Sequence, residues 1–351
     1  GRLALDANTT GNSNTSVGRG SLGSNTTASD NTAVGNNAMQ DNTSGSSNTG
    51  LGSLALNSNT TSSFNTAVGK SALKLNTADQ NTGIGANALT ANTTGSQNTF
   101  VGYNAARQNT TGVNNTGLGW RVLDANTTAS NNTSIGYQAL FANTTGYSNT
   151  AIGSTALDAN TTGDSNTAVG TYALTANTTG RNNTCIGIQA GESVTTGDNN
   201  LFLGRNSGGS TSPSGTITTA SNIVVLGDDN ITTLMCADTS ISASDSRDKT
   251  DITDFTKGLD WINALRPVTY RWDKRSWYGT DSEPYGIPDG SKKANKLNIG
   301  FLAQEVNDIE KANGYGDDND NMLICHITED NMRLGIKYER LVPILVNAIK
   351  E

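Results

Sequence analysis

Proline is missing from the chain until Pro213, and four of the five prolines follow residue 245. Charge is equally scarce at the front. Residues 1 to 244 hold 8 basic and 12 acidic side chains, whereas the shorter stretch from 245 to 351 holds 15 and 19, together with three of the four tryptophans. Two kinds of polypeptide are therefore joined near residue 244. The single histidine, His326, leaves a Ser-His-Asp triad at most one base. Cys185, Cys236 and Cys325 lie far apart and form no C-x-x-C pair, so neither a disulfide framework nor a zinc site is expected, and all three read as small buried hydrophobes. The net charge of -8 comes with no basic run, which argues against a nucleic-acid partner and makes acidity chiefly a matter of solubility. The longest apolar stretch, Leu341 to Ile349, is too short to cross a bilayer, and no signal peptide is recognisable. No cofactor and no metal site are expected. The chain opens on Gly1 in mid-repeat, which predicts further shaft or an attachment domain upstream.

What is abundant is a repeat. An Asn-Thr-small-aliphatic-Gly signature starts at Asn14 and returns at Asn31, Asn48, Asn65, Asn81, Asn98, Asn115, Asn132, Asn149, Asn166 and Asn183, then weakly at Asn200. The period is 17 residues except between Asn65 and Asn81, where one residue is missing from Asn76-Thr77-Ala78-Asp79-Gln80, which marks that spot as a turn. One copy reads N-T-A-V-G-x-x-A-L-x-A-N-T-T-G-x-x, as in 166 to 182. Its fourth position is aliphatic (Val34, Val68, Ile84, Leu118) and its ninth is usually Leu or Met (Met39, Leu56, Leu73, Leu123). This predicts two short strands and two turns per copy, stacked as a solenoid or array in which no copy buries its apolar face alone. With so few apolar residues per copy, one chain predicts a thin core. Threefold association is expected to fill it with the fourth- and ninth-position side chains of three chains. A trimeric β-solenoid, β-roll or β-prism over residues 1–204 is the expected fold of this part, with eleven or so copies making a rod on the order of 50 Å at the sheet spacing.

The repeat resembles those of bacteriophage tail fibres and, more distantly, the head repeats of trimeric autotransporter adhesins. A bacterial trimeric surface adhesin with a non-cleaving trimerisation domain is thus an alternative reading. A Thr-bearing solenoid face also admits an ice-binding protein, which leaves the C-terminal third unexplained. The many Asn-Thr-Thr triplets match glycosylation sequons, but the same residues suit left-handed turns, and the turn reading is preferred.

Residues 205–244 read as a connector, with a Ser/Gly loop around Pro213 and apolar runs at 222–227 and 231–237 expected as short strands. From 245 to 351 the texture becomes mixed α and β. Helices are expected over Thr256 to Leu265, stopping before Pro267, over Phe301 to Ile309 and over Glu339 to Glu351. Val268 to Trp272 reads as a strand, and 322–328 with 332–338 as a hairpin.

At the change of texture stands Ser244-Asp245-Ser246-Arg247-Asp248-Lys249. A serine hydroxyl needs an adjacent base, and a lysine made neutral by burial can serve, as in Ser-Lys pairs. Three further motifs follow in order: Gly258-Leu259-Asp260-Trp261-Ile262 to Leu265-Arg266-Pro267-Val268-Thr269-Tyr270, Ile299-Gly300-Phe301-Leu302-Ala303-Gln304-Glu305-Val306, and Tyr338 to Ile349. Together they resemble the S74 peptidase family, the intramolecular chaperone domains at the C-termini of phage tail spikes, endosialidases and tail fibres. The resemblance implies a domain that trimerises, guides folding of the fibre ahead of it and then cuts itself off. Carried over, it makes Ser244 the nucleophile, Lys249 the general base and Ser244-Asp245 the scissile bond. Arg247 either stabilises the oxyanion, holds Asp245 or forms a surface ion pair. Glu305 either assists proton transfer or sits at a helix surface or trimer contact. The implied partners are two further copies of the chain, an upstream tail protein of the virion and a host cell-surface receptor, with assembly in the host cytoplasm and no membrane insertion.

Two acidic and aromatic features have plainer readings. Asp317-Asp318-Asn319-Asp320-Asn321 lacks the glycine of an EF-hand-like loop, since Met322 stands there, and reads as a solvated turn. Trp261, Trp272 and Trp277 read as core or interface residues.

Overall fold

The computed structural model describes residues 1–231, 250, 252–279, 283, 285–318, 320–327 and 334–351. The chain divides into two compact units, Gly1–Asp228 and Asp229–Glu351.

The first unit is a parallel β-solenoid. Each coil contributes one three-residue strand, from β1 (Thr15–Val17) to β13 (Val224–Leu226), and all thirteen pair in chain order. Registers match like with like, for example Thr133↔Thr150 and Ile135↔Ile152 between β8 (Thr133–Ile135) and β9 (Thr150–Ile152). At about 4.8 Å per step the stack is about 60 Å long. There is one strand per copy where two were expected, because the ninth-position segment runs through left-handed backbone that no strand tolerates. In the coil 115–131 these residues are Arg121, Leu123 and Asn131, with φ of 53°, 50° and 62°. The flips direct the N–H groups both ways along the stack. In the coil 98–114, Gly102, Asn104 and Asn114 donate to the preceding coil, and Thr99, Ala106, Gln108 and Thr110 donate to the next. Corners as well as strands are thus hydrogen-bonded from coil to coil, leaving few orphan backbone groups.

The core closes within one chain, which corrects the expected three-chain filling. The third-, eighth- and ninth-position side chains point inward, and Met39, Leu56, Leu73, Leu123, Leu140 and Leu174 are fully buried. Where the third position carries a large ring the ninth shrinks. Phe100 shares its coil with Ala106 and Phe202 shares its coil with Gly208, so volume is conserved coil by coil. The fourth-position aliphatics face outward instead, among them Val17, Val34, Leu118, Ile152 and Ile186.

Asparagine fills the rest of the interior. At the twelfth position Asn126 Nδ2 donates to Asn109 Oδ1 (2.6 Å) and to the Ala129 carbonyl (3.1 Å), and Asn143 Nδ2 donates in turn to Asn126 Oδ1 (3.2 Å). At the first position the Asn132 N–H donates to Asn115 Oδ1 (3.0 Å) while Asn132 Nδ2 reaches the Gly146 carbonyl (3.0 Å). Two internal amide ladders therefore replace apolar volume at low cost, since nearly every buried polar atom has its partner. Two exceptions have visible causes. Asn59 Oδ1 is unpartnered because the one-residue deletion turns Asn76 Nδ2 to the Ala78 carbonyl, and Asn177 Oδ1 is unpartnered because the next coil carries Val194. The sequon asparagines are these same buried, doubly bonded residues, so the triplets serve as turns.

A glycine column at the fifth position completes each corner. Gly119 has φ of +140°, and a Cβ there would lie 2.2 Å from the Gly136 carbonyl oxygen of the next coil. The sheet also runs one coil past residue 204: β12 (Leu201–Leu203) pairs with β13 across a 23-residue offset, so the apolar run at 222–227 is the last solenoid strand. The run at 231–237 lies outside the described residues after Ile231.

The second unit is small and mixed. Helix α1 (Leu259–Ala264) packs on α3 (Leu341–Lys350), while β14 (Val268–Tyr270) pairs antiparallel with β15 (Asn298–Gly300). Helix α2 (Ala303–Ala312) lies against the antiparallel pair β16 (Cys325–Ile327) and β17 (Leu334–Ile336). Trp261, Val306, Ile324, Cys325, Leu341 and Ile344 form the core.

Candidate functional site

Ser244, Asp245, Arg247 and Lys249 lie outside the described residues, as does Cys236. The structure does show what the motifs downstream of them build. The three later motifs converge on one core. Trp261 of the first sits edge-on to Phe255 (5.7 Å between centroids) and to Tyr315 (6.1 Å). Asn347 of the last donates Nδ2 to the Phe255 carbonyl (2.6 Å) and the Lys257 carbonyl (3.3 Å), tying the segment that follows residue 252 to the closing helix. Tyr338 contributes in the same way: its hydroxyl accepts the Phe301 N–H (3.1 Å), and its ring stacks on Phe301 at 6.0 Å. Gly300 is needed at that point, because a Cβ would fall 2.5 Å from the Tyr338 hydroxyl. Burial, reinforced by Tyr338, pushes the Tyr270 hydroxyl above its ordinary value.

Glu305 is in the first turn of α2, where its carboxylate takes both Nε and Nη2 of Arg266. The pair is largely solvated, so it registers α2 against the Arg266-Pro267 corner and contributes little stability. Arg266 is held above its ordinary value by this hydrogen bond and by the charge of Glu305. Glu305 thus stands half-exposed on the helix, paired with Arg266.

An acid that sequence reasoning missed is Glu310, fully buried on α2. Its Oε1 accepts the N–H groups of Leu323 and Ile324 (2.6 Å each), and its Oε2 accepts that of Cys325 (3.1 Å). It pins the approach to β16 onto the helix. The available signal was periodicity, since Val306, Asn307 and Glu310 share one face at helical spacing and all are buried. Burial, then Glu310, push the Cys325 thiol up to about 12, and burial alone raises Cys185, so both behave as inert core residues. In the acidic turn, Asp318 Oδ1 accepts the N–H groups of Asp320 (3.1 Å) and Asn321 (3.0 Å). Among the described residues no cluster of three or more His, Cys, Asp or Glu could hold a metal ion, and no helix is long and apolar enough to cross a membrane.

In chain order, a solenoid is followed by a compact α+β domain. The sequence pattern of peptidase S74, the chaperone of endosialidase, matches residues 244–315. The C-terminal part is thus similar to S74-type chaperone domains, and with the solenoid upstream the chain fits a tail fibre or tailspike bearing one. The family so matched is one of self-cleaving, serine-type autoproteases. The match ends before α3 and the β16–β17 pair, although both share the core of the matched part. No curated protein and no solved structure matches the chain.

Proposed function

We propose that this chain is a segment of a bacteriophage tail fibre whose C-terminal domain trimerises, sets the register of the shaft and then releases itself by cutting between Ser244 and Asp245. Ser244 is the nucleophile and Lys249 the base. Attack of one copy's Ser244 hydroxyl on the Ser244 carbonyl carbon of a neighbouring copy in the trimer, with transfer of its proton to Lys249 and then to the departing Asp245 nitrogen, breaks the peptide bond through an acyl ester that water hydrolyses. Within a single residue the same attack would close a four-membered lactone. The single observation that carries the reading is that the family match opens at Ser244, downstream of the solenoid.

Homotrimer formation is supported by apolar surface that one chain leaves open. Val342, Leu345, Val346 and Ile349, at i, i+3, i+4 and i+7 on α3, are 56, 43, 44 and 83 % exposed, a stripe distinct from the buried Leu341 and Ile344. A stripe of that spacing suits helices meeting around a shared axis. Registration of a long stacked array is slow and exposes unpaired edges, so a compact module that aligns three chains first is useful. Its removal leaves the fibre kinetically trapped. The fibre belongs to the virion and serves attachment to the host surface.

The test is the mass of the shaft chain after expression: it ends at Ser244, and Ser244→Ala and Lys249→Ala give full-length trimers that fold. A full-length product with Ser244 intact removes the protease role. Monomer or aggregate from either variant removes the separation of folding from cutting.

A further inference from the structure

The shaft surface is rich in Asn, Thr, Ser and Gly, with outward aliphatics on its strand face and single exposed rings such as Phe64, Tyr147 and Tyr172, but in one place exposed rings form a row. At the sixth repeat position Tyr103, Trp120 and Tyr137 occupy three consecutive coils, and their rings stack along the shaft at 6.5 and 4.9 Å with interplanar angles of 16° and 4°. All three remain open, at 50, 39 and 51 % exposure. The row stops abruptly: the same position is Ala86 on the coil before Tyr103 and Ser154 on the coil after Tyr137. Because the rings are parallel and one coil step is about 4.8 Å, the outer face of Tyr103 looks across a ring-thick slot floored by Ala86. On the far side of that slot, one coil further, the row resumes with the exposed Lys70.

Charge on this face is also out of keeping with the chain. Lys70, Lys74, Arg107 and Arg121 are half of the basic residues of the first unit, and they fall at positions six, seven and ten of neighbouring coils. Asp124, 1 % exposed, is shared by Arg107 (3.1 Å) and Arg121 (2.9 Å), so one carboxylate faces two guanidinium groups. Arg121 is held flat, 5.2 Å from the Trp120 ring centre and 4.6 Å from that of Phe141. The result is a cationic, aromatic strip on an acidic molecule, with its donors already fixed in place.

The geometry points to a saccharide-binding site for a carboxylate-bearing glycan chain lying along the shaft, with one sugar ring in the Ala86 slot, its C–H face on Tyr103 and its carboxylate toward Lys70 and Arg107. An aromatic face binds the apolar side of a pyranose, the open strip admits a polymer from the side, and the cations select for acidic sugars. This deepens the attachment role proposed above and rests on it, but binding and severing are read separately, so either fails without the other.

The experiment is calorimetric titration of the full chain with oligogalacturonate and, in parallel, with neutral dextran oligomers of the same length. The acidic oligomer is expected to bind and the neutral one to bind at least about tenfold more weakly, a difference near 1.4 kcal/mol. Tyr103→Ala is expected to weaken the acidic oligomer about tenfold, and Lys70→Gln, an exposed change that leaves folding intact, several-fold with a reduced salt dependence. Equal binding of both oligomers, binding of neither, or unchanged affinity in both variants overturns the proposal. So does a drop in oligomeric mass on Tyr103→Ala or Trp120→Ala, which makes the stack a contact between copies of the chain.

Discussion

The two units solve the problem of a small core in opposite ways. The solenoid closes on itself: amide ladders inside, backbone bonds at every corner and a fully buried leucine row leave each coil complete once it has neighbours. Among the described residues, the C-terminal unit has a short core of seven buried hydrophobic residues and presents Ile252, Trp272, Ile299, Leu345 and Ile349 to solvent. Order in the first comes from repetition along the chain. The second leaves large apolar side chains in solvent, which suits the proposed device for bringing chains together. The difference also separates two kinds of polar burial. In the shaft, loss of an amide is shared among identical neighbours, whereas in the C-terminal unit one carboxylate, Glu310, serves three N–H groups alone.

The contrast is broken most severely by Gly119→Ala. Forced left-handed backbone and a methyl against the Gly136 carbonyl are expected to cost roughly 3–5 kcal/mol, seen as a lost or strongly lowered shaft melting transition while the C-terminal unit melts as before. Leu345→Asp is the reverse experiment. Monomer folding should survive and the proposed trimer should not, with sedimentation showing a single-chain mass; an unchanged mass removes the α3 stripe as the seam. Glu310→Ala leaves three buried N–H groups without an acceptor and is expected to cost about 3 kcal/mol, with amide exchange accelerating first at Leu323, Ile324 and Cys325. A finer comparison lies within one ladder. Asn126→Leu strips partners from both neighbours, whereas Asn177→Leu sits at the ladder's end and also removes an already unpartnered oxygen. The second should cost less by about 1 kcal/mol, and equal losses in thermal unfolding would show that the ladders do not act as chains.

The smallest effect concerns His326. Burial and Lys337 hold its imidazole below the ordinary 6.5. The unfolded chain therefore takes up the proton first, so stability of the C-terminal unit falls as pH drops through that ordinary value and levels off below the folded one. His326→Asn should flatten this part of the melting-temperature profile.

Much of this architecture is legible in the sequence alone. The 17-residue period implies the solenoid, the one-residue deletion marks a true turn at 76–80, and the α3 and α2 helices fall within two or three residues of their expected bounds. The motif order locates the chaperone domain. Direction is what a sequence does not carry. The fourth-position aliphatics and ninth-position leucines look alike in sequence, yet left-handed backbone turns the leucines inward and the strand pleat turns the aliphatics out. Nor does composition reveal that asparagine can be a core residue, which is why apolar content alone calls for three chains to fill the interior. Strand β15 escapes notice because Asn298-Ile299-Gly300 carries no alternation, and Glu310 because an acid on a helix is ordinarily solvated. The slot beside Tyr103 becomes visible only with the stack itself.

The shortened coil at 76–80 has a mechanical meaning. In a parallel solenoid the hydrogen bonds run along the shaft, so a pull on its ends passes the same force through every coil boundary in turn. Strength is then set by the poorest boundary and not by the average. Where Asn76 turns away from Asn59, one rung is absent although the strands on either side stay in register. Under tension the shaft should part first at a boundary that lacks a rung, here or between Asn177 and Val194, giving the rod weak points that its length and composition do not disclose.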